Sequence, residues 1–325
     1  MLTPDRLLLL QTVARTASYS AAARELGFTQ PAISYQMRCL EREIGTALTV
    51  RVGASMRLTP AGQALLPHAE VILSAVRAAE RELAGIVGSH AGVLKLGAFP
   101  SSCATLVPAA IAQLRRDLPA IDAQLLQVEP PQCHDMVRRG ELDLGVTYRF
   151  GPVPVPVPAV SGESERRPAG TVAQRVPGQP VGQPHRLPLF VDAVRLMLPV
   201  DHPAARRKLI RLADLAGDTW ILAGRRFEDL LYAAAEKVGF EPKIMLVADD
   251  YVVMQSLVAH GLGLALVPEL ALSAHRDDRL VARTLVGWPD RHIEVELWPD
   301  QLRVPAVAAT LAALRAAVPG TRPGR

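Results

Sequence analysis

The chain has 325 residues, a formal net charge of +4 and an isoelectric point near 9.2, and 49% of its residues are hydrophobic. That length suits two or three globular domains, and the apolar content is enough for buried cores, which excludes a disordered chain. Three cysteines (Cys39, Cys103 and Cys133) with no CxxC and no zinc-like Cys/His spacing exclude a disulfide framework, and no apolar run is long enough for a membrane span or a signal peptide, so a cytoplasmic protein is expected.

In chain order, Asp5–Ala17 reads as a helix, with Leu7, Leu10, Val13, Ala14 and Ala17 on one stripe after Thr3-Pro4. Ser20–Leu26 is a second short helix, stopped by Gly27, with Phe28 filling the corner. Thr29 is a suitable N-cap for a third helix, and Pro31 falls in its first turn, where a missing N–H costs nothing. Two short helices joined by a tight turn make a helix-turn-helix. On the third helix Ile33, Met37, Leu40 and Ile44 form an apolar stripe, which leaves Gln30, Pro31, Ser34, Tyr35, Arg38 and Arg42 as the candidate base-reading face. From these residues alone a solvated amphipathic helix reads equally well. Residues 1–60 carry seven arginines against four acids, which favours a polyanion there.

After Gly45, Ala47–Val52 and Ser55–Leu58 read as the two strands of a wing, with Arg51 and Arg57 positioned for phosphates. Thr59-Pro60 opens a long helix to about Val87, kinked near Pro67. Its Leu65, Ala69, Ile72, Val76, Ala79, Leu83 and Ile86 repeat at spacings of four and three, a seam that calls for a partner helix. From Gly92, strands alternate with helices, as in an α/β sheet. Expected strands are 93–98, 123–128, 142–147, 190–198, 219–222, 244–248, 263–267 and 293–298. Expected helices are 103–118, interrupted by Pro108, then 133–139, 212–216, 227–238, 251–260 and 306–317. Residues 151–186 hold eight of the 27 prolines with no helical or strand period, and read as a tolerated, extended or disordered insertion.

The run AAARELGFTQPAISYQMRCLEREIGTALTVR, followed by RLTPAGQALL, resembles the N-terminal region of LysR-type transcriptional regulators. Ala22, Ala23, Leu26, Gln30, Pro31, Ala32, Ser34, Leu40, Glu41, Gly45, Leu48, Arg51, Leu58, Thr59, Ala61 and Gly62 stand where that family's motif places such residues. HGLGLALVP and DLGVTY extend the likeness down the chain. Two positions depart: Thr49 stands where the family usually has Phe, and Tyr35 stands at a commonly basic or polar position. The resemblance implies an α/β chain with a winged helix-turn-helix at 1–59, a linker helix for dimerisation at 60–90, and a two-lobed, periplasmic-binding-protein-like effector domain at 91–320. Lobe I would take 91–150 and 268–320 and lobe II 187–267, with the insert 151–186 between them. The implied function is promoter DNA binding controlled by a small-molecule effector, in a homodimer or homotetramer that could engage RNA polymerase. A ligand-independent DNA-binding protein with a vestigial cleft is the alternative.

Ligands of open α/β sheets lodge beyond the carboxyl ends of strands, and helix N-termini there attract anions. Pro100, Ser101 and Ser102 meet both conditions, although one serine could simply cap its helix. Thr147, Tyr148, Gly224, Arg225, Asp249 and Asp250 are the facing candidates, and the family's effectors occupy this cleft. Cys103 lies near the same helix end, where a redox-sensing thiolate is conceivable, and Cys133-His134-Asp135 lacks the spacing of a metal site. With no GxSxG, P-loop or GxGxxG after a strand, neither a cofactor nor enzyme activity is expected.

Overall fold

The computed structural model describes residues 2–86, 92–151 and 183–319. Helices α1 (Pro4–Thr16), α2 (Tyr19–Leu26) and α3 (Gln30–Ile44) precede a hairpin of β1 (Thr49–Val52) and β2 (Ser55–Leu58). The Ser18 and Thr29 side chains accept hydrogen bonds from the Ala21 and Ala32 amides, and Gly27 and Gly45 end α2 and α3 in the left-handed conformation. Leu10, Val13, Ala22, Ile33, Met37, Leu40 and Leu48 share one core. Two expected core residues lie outside it: Phe28 is 62% exposed and Ile44 37% exposed.

Helix α4 (Pro60–Ile86) runs through Pro67 without interruption. It presents two apolar stripes. Ala69, from the expected seam, is buried with Leu73 beside Leu7 of α1, Leu65 of that seam is partly buried in the same place, and Ala78 is buried in the core of the first sheet, so the N-terminal part of the seam packs on its own chain. Ile72 and Leu83, from the expected seam, are 39% and 61% exposed. The Ile86 side chain and residues 87–91 lie outside the described residues.

The remaining chain builds two sheets. Strand β3 (Val93–Ala98) leads into α5 (Pro100–Cys103) and α6 (Leu106–Asp117); β4 (Asp122–Gln127), α7 (Pro130–Arg139) and β5 (Leu144–Phe150) follow. Next come β6 (His185–Asp192), β7 (Val194–Pro199), β8 (Leu209–Ile210), β9 (Thr219–Leu222), α8 (Gly224–Val238), β10 (Lys243–Val247), α9 (Tyr251–Ala259) and β11 (Leu264–Pro268). Helix α10 (Glu269–Ala274), β12 (Leu280–Leu285), β13 (Arg291–Leu297) and α11 (Pro305–Ala316) complete the fold. The first sheet has the order β4-β3-β5-β13-β6 and the second β10-β9-β11-β7-β12-β8. Each has parallel β-α-β units on one side and antiparallel pairs on the other, β5-β13-β6 in the first sheet and β11-β7-β12 in the second, where β8 adds a parallel edge.

Several sequence expectations are corrected by this topology. The expected strand 190–198 is two strands belonging to different sheets, and the chain changes sheet at Ala193. Asp192 fixes the corner: its buried carboxylate accepts from the Leu270 amide at 2.8 Å and pairs with Arg291. Residues 185–192 therefore join the first sheet, whereas 280–285, assigned to lobe I from sequence, pair with β7 in the second. The helix expected from Cys103 breaks at Ala104–Thr105 and not at Pro108, which occupies the first turn of α6, where no N–H is needed. Residues 212–216 make only a single 3-10 turn. The proline-rich stretch joins β5 to β6, two strands flanking β13 in one sheet, so both strands it connects belong to the first lobe. Its residues 152–182, and the expectation that they are extended or disordered, lie outside the described residues.

Candidate nucleic-acid interface and effector cleft

Helix α3 is positioned by its buried stripe, so its other face is determined. Gln30, Pro31, Tyr35, Arg38 and Arg42 are exposed, Tyr35 by 58%, and Ser34 is half-buried among them. Gln30 Nε2 donates to Ser34 Oγ at 3.0 Å and Arg38 Nε donates to the Ser34 carbonyl at 3.2 Å, so the face is laid out by bonds one helical turn long.

The wing is tied to α3 by Glu41. Its Oε1 accepts from the Leu48 amide at 2.9 Å and from the Thr49 amide and hydroxyl at 3.1 Å each, and the Tyr19 hydroxyl meets Thr49 Oγ1 at 2.7 Å. Thr49, where a phenyl ring is usual in the resembled family, thus replaces apolar packing with a hydrogen-bond network. Gly62 admits the wing's backbone: a Cβ there would lie 2.2 Å from the Leu48 carbonyl oxygen. The pairing of Val50 with Arg57 and Arg51 with Met56 sends the two wing arginines to opposite faces of the hairpin, both exposed.

Between the sheets lies a cavity of about 480 Å³. Pro100, Ser101 and Gln127 line it from the first lobe, and Asp249, Tyr251 and Gln255 from the second. Asp250 Oδ1 caps α9 through the Val252 and Val253 amides, at 2.9 and 3.1 Å. Behind Ser101 is a buried cation that the sequence did not reveal. Arg291, 0% exposed, donates from Nε and Nη2 to Asp192 Oδ2 at 3.1 and 2.5 Å, and from Nη2 to Ser101 Oγ at 3.0 Å. Its guanidinium sits 5.0 Å from the Phe99 ring centre and 4.7 Å from that of Tyr148. The only local signal was Asp192, a carboxylate inside an apolar run; nothing near position 291 marked its partner.

The predicted cleft residues divide. Pro100, Ser101 and Asp249 line the cavity. Gly224 abuts it, since a Cβ there would come within 2.9 Å of Asp249 Oδ1. Thr147 and Tyr148 are buried, the Tyr148 hydroxyl donating to Glu129 at 3.0 Å. Ser102 is turned inward; its hydroxyl is fully buried and donates to the Phe99 carbonyl at 2.8 Å, and neither serine's side chain caps the N-terminus of α5. Arg225 is exposed and outside the lining, and it is Arg226 that reaches across, donating to the Tyr148 carbonyl at 3.2 Å. An anion was expected at this end of α5, yet two aspartates and no lysine or arginine line the cavity.

Burial, reinforced by the Asp249 charge, raises the Glu129 carboxyl above its ordinary range despite the Tyr148 hydroxyl. Burial also pushes the Cys103 thiol up to about 11, and its Sγ donates to the Ala98 carbonyl, which argues against a sensing thiolate. His134 Nδ1 meets Glu296 at 2.6 Å, and among the described residues no three His, Cys, Asp or Glu side chains are grouped to hold a metal. No helix among them is long and apolar enough to cross a membrane.

A winged helix-turn-helix carried on a long helix and joined to a two-lobed cleft defines a DNA-binding regulator with a small-molecule site. Residues 4–63 match the model of the bacterial regulatory helix-turn-helix protein, lysR family, and residues 88–156 and 176–319 match the LysR substrate binding domain. The chain belongs to the LysR family of transcriptional regulators. It is 30% identical over 261 residues to the Hca operon transcriptional activator HcaR of Escherichia coli, covering 79% of this chain and 78% of that protein. It is 27% identical to the transcriptional dual regulator GltC of Bacillus subtilis, covering 73% of this chain and 71% of the relative. Among solved structures, a full-length OxyR variant from Pseudomonas aeruginosa has the same fold, with a TM-score of 0.61, 23% identity and coverage of 97% of this chain and 95% of that one. The protein is thus a LysR-type DNA-binding transcriptional regulator with an effector-binding domain, and not an enzyme.

Proposed function

We propose that this regulator works in the cytoplasm as a homodimer or a dimer of dimers, and that α3 enters the major groove of a promoter. Gln30, Ser34, Tyr35, Arg38 and Arg42 read bases there, while Arg51 and Arg57 touch phosphates on either side of the wing. Its dimer forms along the open Ile72, Ala79 and Leu83 stripe of α4, and RNA polymerase is met by the assembly on DNA. A solved relative by fold, CbnR, is described in complex with its target DNA, which supports this mode. The cleft holds a small polar effector that donates hydrogen bonds, since Asp249 and Asp250 on its walls accept them.

The observation that carries effector control is the placement of α7. Its N-terminal side follows Gln127 and Glu129, at the cleft and under Tyr148, and its C-terminal end grips α4. There Arg138 Nη2 donates to both Glu70 oxygens at 2.8 and 3.1 Å, and the Arg77 guanidinium lies over Gly140, so close that a Cβ would fall 2.1 Å from it. A shift of the lobes thus has a rigid route to the DNA-bearing arm, and a ligand with differential affinity for two lobe positions shifts the assembly. The test is a thermal-shift screen of small amines, amino acids and aromatics, followed by footprinting with and without the best hit. A footprint that changes length or hypersensitivity supports effector control, and an unchanged footprint under saturating hit means a vestigial cleft. In the same assay Arg38→Ala should cost about 1–3 kcal/mol on operator DNA and far less on random DNA.

A further inference from the structure

Helix α10 separates two cavities of opposite character. Ala271, Ala274 and His275 face the effector cleft, whereas Leu272, Ser273 and Arg276 line a second cavity of about 460 Å³. Neighbouring strands of the second sheet supply the rest of that wall: Arg195 from β7, Arg283 and Thr284 from β12, and Lys208 just before β8. Thus four cations line it against one carboxylate, Glu269, while the cleft on the far side of α10 has two aspartates and neither lysine nor arginine.

The cations are arranged and incompletely neutralised. Arg195 Nη1 donates to Thr284 Oγ1 and Nη2 to Glu269, both at 3.0 Å. Arg283 is held by backbone carbonyls, with Nε to Ala205 at 2.7 Å and Nη1 to Ala282 at 2.8 Å, so its orientation is set but its charge is uncompensated. Lys208 and Arg276 enter no ion pair among the described residues. Two pre-oriented guanidiniums, a third guanidinium, an ammonium and the Thr284 hydroxyl around one concavity match the donor set that recognises phosphate or carboxylate groups. The volume lies within the range of small-molecule sites.

We infer that this cavity is a second ligand site, for a small molecule bearing two or more anionic groups. Three excess positive charges on one wall favour a multivalent ligand over a monovalent one. Because α10 is a wall of both cavities, the anion and the cleft effector are coupled through it, and the coupling is reciprocal. The site deepens the effector-controlled reading, but binding of the anion does not depend on it.

The experiment is calorimetry of the full-length protein at constant ionic strength, with pyrophosphate and citrate as probes and sodium chloride as the control titrant. The variant is Lys208→Ala/Arg276→Ala, at two exposed positions that leave packing intact. Saturable binding of either probe, weakened by at least about tenfold in the variant, is the expected result. Preference for pyrophosphate identifies phosphate as the recognised group, and preference for citrate identifies carboxylate. Absence of saturable heat for both probes up to about 10 mM overturns the site, as does a variant that binds like the parent. A variant that retains its thermal midpoint but loses affinity for operator and random DNA alike also overturns it, because the patch would then be a phosphate-backbone contact. Binding of the probe with an unchanged footprint in the cleft-effector assay would separate failure of effector control from failure of the anion site.

Discussion

At the scale of single residues, the sites that matter most are those where a polar group was forced into an apolar setting. Arg291 and Asp192 are both buried and each is the other's main compensation, so removing one leaves a charge without a counter-ion. Arg291→Met should therefore destabilise the protein by about 3–5 kcal/mol in urea unfolding, and adding Asp192→Leu should recover part of that loss. Glu129 tests the same physics through pH. Its folded-state value is raised, so the folded state holds a proton that the unfolded chain releases near 4.5; stability therefore falls as pH rises from there through the folded value. Glu129→Gln keeps an acceptor for Tyr148 and should flatten that fall, as read from denaturation midpoints between pH 4.5 and neutrality; an unchanged slope would put the titration elsewhere. Sequence located this neighbourhood well and its individual atoms poorly. Ser101 and Ser102 are adjacent, as are Arg225 and Arg226, and a helix turns about 100° per residue. The likeness of such pairs in sequence conceals which member lines the cavity or reaches the other lobe, and that is settled by the neighbouring Phe99 and Phe227, whose rings pack on Tyr148 and Phe150 far along the chain.

At the scale of elements, α4 shows why a correct periodicity can still be read incompletely. Spacings of four and three identified one apolar seam, but the helix carries two neighbouring stripes, and Ala69, Leu73 and Ala78 are occupied by the chain itself. The two stripes make different predictions. Leu83→Asp puts a charge on the open stripe and should dissociate the dimer in sedimentation while the thermal midpoint at matched monomer concentration stays close to the parent's. Leu73→Asp buries a charge against α1 and should lower the midpoint sharply, because an unpaired buried carboxylate costs several kcal/mol. An intact Leu83→Asp dimer would move the dimer interface off α4. The caps were legible in part: Thr29, Gly27 and Gly45 act within three or four residues, so nothing distant can override them, whereas the helix expected from Ser20 starts a residue earlier under a Ser18 cap that the apolar pattern does not mark, and Thr3 makes no side-chain cap bond to α1. Short strands and single turns such as Leu209–Ile210 were not legible, because two residues carry no period and exist only through their neighbours in the sheet.

At the scale of the whole molecule, the α/β character and two-lobed division were readable from the alternation of strands and helices, while the points of exchange between sheets were not. Phe190–Leu198 is apolar on both sides of Ala193, so its hydrophobic pattern fits one strand, and it is the contacts of Asp192 with Leu270 and Arg291, 78 and 99 residues away, that mark the bend. The same long-range pairing limits how far the proline-rich insert can be shortened. Read as a dispensable loop, it could be cut from 155 to 183 with little consequence, since loop closure varies slowly with length. The strand register says otherwise. Phe150 lies opposite Arg291 on β13, and His185 lies opposite Leu297 on the other side of that strand. Six residues along β13 at about 3.3 Å, and two strand spacings of about 4.8 Å, put those ends about 22 Å apart in a straight line through the sheet. Only residues 151–154 and 184 would remain to join them, and six Cα steps reach at most about 20–22 Å, with nothing left to pass around β13. Deleting 155–183 should therefore pull β6 from the sheet and lower unfolding stability by several kcal/mol. Deleting 160–176 leaves ample reach, and by loop-closure entropy should change stability by only about 0.6 kcal/mol and leave operator affinity unaltered. Equal stability for the two deletions would mean that β6 reaches its place beside β13 by a different path.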